Sequence, residues 1–120
     1  MFVKNLYGCN EFTANDGCGI RELLHPEKDG VDLPYSLALA RVKPGRATYR
    51  HRLEQTEVYY LLRGAGRMII DNEIRDVTSG DIIVIPARAV QHIENTGRET
   101  LEFAAIVSPP WTKKGDIRVD

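Results

Sequence analysis

Gly45-Arg-Ala-Thr-Tyr49-Arg-His51-Arg-Leu53-Glu-Gln-Thr-Glu57-Val-Tyr59-Tyr-Leu-Leu-Arg-Gly64-Ala-Gly66 holds two extended runs joined by a short polar turn and closed by glycines. Side chains alternate along a strand, so Tyr49, His51 and Leu53 share one face while Arg50 and Arg52 share the other. Glu57, Tyr59 and Leu61 share a face after the turn in the same way. If the two runs pair as a hairpin, an imidazole and a carboxylate converge on one concave side, which is half of a metal site or half of an acid/base pair.

Working outward, a chain of 120 residues is a single domain, able to bury roughly two-thirds of its unfolded surface. With 28% charged residues and a net charge of -1, there is no basic surplus to attract nucleic acid or an anionic membrane. Neither is expected as a partner. No apolar run reaches the ~18 residues that span a bilayer, and Met1-Phe-Val-Lys-Asn5 lacks a signal-peptide core, so the expected address is the cytoplasm. Cys9 and Cys18 lie nine positions apart without a zinc-like spacing and are read as free thiols.

The remaining segments read as short strands separated by turn residues. They run over Tyr35 to Val42, Ala47 to Leu53, Glu57 to Leu62, Arg67 to Asp71, Glu73 to Val77, Asp81 to Ile85, Val90 to Glu94 and Leu101 to Val107. Asp71-Asn72, Ser79-Gly80, Pro86 and Asn95-Thr-Gly97 punctuate them. This even spacing without an amphipathic helix predicts an all-β sandwich or barrel. Before it, Phe2 to Asn5 is strand-like, and Ile20 to Leu24 fits a strand or one helical turn. His25-Pro26 starts a loop, and Glu27 to Pro34 reads as an exposed, mobile connection. The expected organisation is residues 1–34 packing on a barrel of residues 35–108, followed by a tail, 109–120.

Val58 to Leu62, Ile82 to Ile85 and Phe103 to Val107 are apolar at consecutive positions, whereas an antiparallel strand with one wet face alternates. Both faces need cover, and a second copy of the chain is the expected cover for the outer one. A homodimer follows as an expectation.

Two sets of spacings resemble the motifs of the cupin superfamily. In the first, Gly45, five residues, His51, one residue, Leu53, three residues, Glu57, six residues and Gly64 follow in order. In the second, Gly80, five residues and Pro86 are followed by Gln91, three residues and Asn95. The resemblance covers about residues 35 to 108 and implies a double-stranded β-helix, a jelly-roll barrel with its site inside the mouth. It also implies one divalent metal on three histidines and the glutamate. This chain departs from that pattern: Leu53 stands at the second histidine position, Gln91 at the third, and Arg88 replaces a glycine. The ligand set carried over is therefore His51, Glu57 and Gln91, for Zn²⁺, Mn²⁺, Fe²⁺ or Ni²⁺, or for no metal at all. His92 faces the site only if a bulge shifts its strand by one residue.

Two functions are compatible with these residues. One is a metalloenzyme of isomerase, lyase or dioxygenase type acting on a small polar oxygen-bearing molecule, with Tyr49 or Tyr59 assisting proton transfer. The other is a barrel that binds such a molecule without turnover. Glu57 needs a partner in either case, because an unpaired carboxylate on an apolar strand is costly to bury. His25 is read as a loop residue, Trp111 as cover for a barrel end or the subunit seam and not as a substrate contact, and Arg50, Arg52 and Arg63 as a solvated face. No DNA-binding segment is recognised.

Overall fold

A computed structural model describes residues 1–14 and 17–119. Eleven strands form two sheets: β1 (Phe12–Thr13), β2 (Gly19–Leu24), β3 (Ser36–Val42), β4 (His51–Leu53), β5 (Thr56–Arg63), β6 (Ala65–Ile70), β7 (Glu73–Thr78), β8 (Ile82–Ile85), β9 (Gln91–Asn95), β10 (Leu101–Ser108) and β11 (Asp116–Arg118). One sheet runs β1-β2-β3-β10-β5-β8 and the other β11-β4-β9-β6-β7, every pairing antiparallel. This is the all-β architecture expected from the strand spacing, arranged as the jelly roll that the resemblance to the cupins implies. Among the described residues no helix is long and apolar enough to cross a membrane.

Inward-pointing side chains of the two sheets make one core, in which Val42, Leu61, Ile93 and Leu101 are fully buried. Tyr59 packs on Phe103 with ring centroids 4.2 Å apart. Asn95 closes the end of β9 by donating to the carbonyls of Val42 and Glu99 while its oxygen accepts from the Gly97 amide. The glycine at 66 is a packing requirement: a Cβ there would sit 2.5 Å from the Glu94 carbonyl oxygen, closer than any real contact.

Several local expectations change. The two runs of the first motif do not pair with each other: β4 bonds to β9 and β11, and β5 to β10 and β8, in opposite sheets. The reason is the corner at Glu54-Gln55, where the chain crosses between sheets. Gln55 is buried there, donating to the Pro110 carbonyl and the Thr112 hydroxyl. Phe2 to Asn5 forms no strand and leads into a 3-10 turn at Leu6–Gly8. Ile20 to Leu24 lies within β2, beside β3. The stretch read as a loop after His25 begins with one helical turn, α1 (Pro26–Asp29). His25 is extended, as a residue before proline should be, and caps that turn by accepting from the Glu27 amide.

Candidate functional site

Because β4 and β5 lie in facing sheets, His51 and Leu53 look across the barrel at Glu57 and Tyr59. All four border one cavity of about 360 Å³, together with Tyr49. Residues of β4 and β9 also stand side by side, with His51 directly opposite Gln91. Gln91 points inward and is fully buried, but it does not border the cavity. His92, its neighbour, turns to the other side, where its Nε2 lies 3.5 Å from Glu94. The strand keeps its register here, so no bulge brings His92 inward.

The polar groups are linked in one chain of hydrogen bonds. Tyr59 donates its hydroxyl to Gln91 Oε1 at 2.9 Å, and Gln91 Nε2 donates to Glu57 Oε1 at 2.8 Å. Gln91 is thus the partner that the buried carboxyl requires. Burial pushes the Glu57 carboxyl up to about 7; the bond from Gln91 and the nearby His51 pull it down, and Asp116 pushes it up. His51 Nδ1 lies 2.9 Å from the Tyr49 carbonyl. A carbonyl only accepts, so Nδ1 carries a proton, and in the neutral ring the lone pair is on Nε2.

The tail, residues 109–120, holds a strand and cavity-lining residues that its sequence does not announce. There β11 pairs with β4, placing Arg118 opposite His51 and Asp116 opposite Leu53. The Arg118 guanidinium stacks over the Tyr49 ring at 3.7 Å. Trp111, Asp116 and Arg118 all border the cavity. Trp111 is fixed at three points: its amide donates to the Ser36 hydroxyl, its indole N–H to Asp116, and its carbonyl accepts from His25 Nε2 at 2.8 Å. The only sequence signal for β11 is a three-residue run after Lys113-Lys114-Gly115, too short to separate from a tail.

The Cupin domain family matches residues 38–107, more than half of the chain. The chain belongs to the cupin family. An uncharacterized protein of Methanocaldococcus jannaschii is 41% identical to this cupin over 103 residues, 84% of this chain and 81% of that protein. The oxalate-binding protein of Thermotoga maritima is 31% identical over 71 residues, 58% of this chain. The cupin spans 59% of that relative's length. Among solved structures, the oxalate decarboxylase of Bacillus subtilis, with its Mn(II) centres, superposes with a TM-score of 0.82 at 21% identity. That likeness covers 95% of this cupin but 31% of the decarboxylase chain, and it speaks to fold alone.

The cupin motif pattern implies a divalent ion. A tightly held ion takes three or four strong donors. The four motif positions supply one imidazole, His51, and one carboxyl, Glu57, while Leu53 offers nothing and the Gln91 oxygen already accepts from Tyr59. Among the described residues no three His, Cys, Asp or Glu side chains are grouped to hold a metal. The residues present do not fit a tightly bound resident ion.

Proposed function

We propose that this cupin binds a small oxygen-bearing molecule in its barrel and does so without a resident metal. The observation that carries the reading is the Tyr59–Gln91–Glu57 chain, which uses both ends of the amide standing where the family's pattern has a metal-binding histidine. A cavity with apolar walls and a few convergent polar groups is what small-molecule sites have in common. His51 Nε2 and Glu57 supply those groups.

The test is elemental analysis of protein purified without added metal or affinity tag. Zn, Mn, Fe and Ni all well below one atom per chain are expected. A stoichiometric metal that survives dialysis would overturn the proposal.

Metal-dependent turnover is the second reading, favoured by one observation. A histidine whose Nδ1 proton is held on a backbone carbonyl, as His51 is on Tyr49, is oriented as metal-ligating histidines are. The same measurement decides between the two.

A further inference from the structure

The class of molecule follows from the walls of the cavity. Cross-strand register puts Ala105 of β10 between Ala38 of β3 and Tyr59 of β5, and Ala40 opposite Phe103. Three alanines thus lie side by side where longer side chains would fill the barrel. The resulting space, about 360 Å³, is more than twice the ~150 Å³ of an apolar cavity that accepts benzene.

Charge argues against a small dianion. The carboxyl side chains bordering the cavity are Glu22, Glu57 and Asp116, against the one cation Arg118. That guanidinium is stacked on Tyr49. A dicarboxylate inside would meet more carboxyls than cations in a place poor in water.

Hydrogen-bond capacity fixes the polar end. The His51 Nδ1 proton, the Tyr59 hydroxyl proton and a Gln91 amide proton are each directed to a protein acceptor. What His51 leaves for a ligand is the lone pair on Nε2, so a group that bonds it there has to donate.

We infer that the occupant is a hydroxylated ring compound of about two fused rings, its ring over Ala38, Ala40 and Ala105 and its hydroxyl donating to His51 Nε2. This assignment rests on the metal-free binding proposed above. It excludes oxalate.

Calorimetric titration of the purified protein with 2-naphthol, naphthalene and oxalate tests it. The expected result is one 2-naphthol per chain, naphthalene about tenfold weaker for want of the hydroxyl, and neither heat nor competition from oxalate. His51→Ala should bring 2-naphthol down to the affinity of naphthalene. Ala105→Leu should abolish binding of both by filling the space. If that variant does not melt cooperatively, Ala38→Val occupies part of the same space and should weaken both ligands.

Oxalate binding with 2-naphthol excluded overturns the ring-and-hydroxyl assignment while leaving metal-free binding intact. So does 2-naphthol affinity that neither His51→Ala nor the cavity-filling variants alter. A stoichiometric metal overturns the underlying reading instead.

Discussion

Gln91 Nε2 lies 2.8 Å from Glu57 Oε1, bridging a side chain of one sheet to a side chain of the other. In a family whose pattern has a histidine at this position, an amide here turns a metal ligand into a brace. The consequences begin with Glu57.

Its carboxyl rises from 4.5 to about 7, chiefly because it is buried. The folded chain then keeps the proton after the unfolded chain has released it. Stability from this group is complete below pH 4.5 and is lost as pH rises to about 7. For the protein free of bound metal the loss is about 3 kcal/mol at most. Glu57→Gln retains an oxygen for Gln91 to bond and removes the titration. Urea unfolding at about pH 5 and about pH 8 should show a smaller drop for the variant than for the parent; equal drops would mean that Glu57 is ionised in the fold.

Leu53 is 2% exposed and borders the cavity, two residues along the strand from His51. Leu53→His adds a third strong donor on that face. Zn²⁺ affinity should rise by about tenfold or more, at a cost of about 2 kcal/mol in stability for the buried polar ring. Calorimetry with Zn²⁺ reads the first and denaturation the second. Unchanged affinity would place the side chain at 53 away from the other two.

Arg88 has φ +69°, a left-handed conformation that suits glycine, and its amide donates to the Leu53 carbonyl at 2.7 Å. Arginine there costs about 1–2 kcal/mol of local strain, and glycine costs about 0.5–1 kcal/mol in chain entropy. Its ion pair with Glu54 is exposed and contributes little. Arg88→Gly should therefore stabilise the fold by about 0.5–1 kcal/mol, measured by urea unfolding. A destabilised variant would assign Arg88 a contact that outweighs the strain.

The outer face of the β10-β5-β8 corner carries rows of apolar side chains. Ile106, Val58 and Val84 stand side by side in register, and Tyr60 stands beside Ile82. Val84 and Ile82 are each 68% exposed. A monomer of 13.5 kDa exposes about 6,500 Å² on average, whereas this chain exposes 7596 Å². That excess, about 1,100 Å², is of the size a standard interface takes from one partner, ~800 Å². We expect a two-fold dimer through this face. Light scattering should give twice 13.5 kDa for the parent and the monomer mass for the double variant Ile82→Lys, Val84→Lys. A monomeric parent would refute the expectation.

The all-β class was legible because the strands are short, evenly spaced and bounded by glycine, proline and Asn95, all of which act locally; the jelly-roll arrangement was legible only through the spacing of the two cupin motifs. The inward orientation of Gln91 was legible too, since Asn95 pins the register of β9. Sheet membership was not: whether His51 and Glu57 belong to neighbouring or facing strands depends on Gln55 finding partners in the tail more than fifty residues on. The hydrogen bonds that occupy Gln91 were equally out of reach, because Tyr59 and Glu57 meet it only across the barrel. Arg88 looked like a lost glycine in the sequence, and its backbone retains the glycine conformation.

Trp111 is the single tryptophan of the chain, and it borders the cavity with its indole N–H held on Asp116 at 3.0 Å. A molecule held in the cavity against Trp111 changes the surroundings of that one indole. The protein therefore carries its own optical reporter, and the wavelength and intensity of its emission follow occupancy of the site without a label.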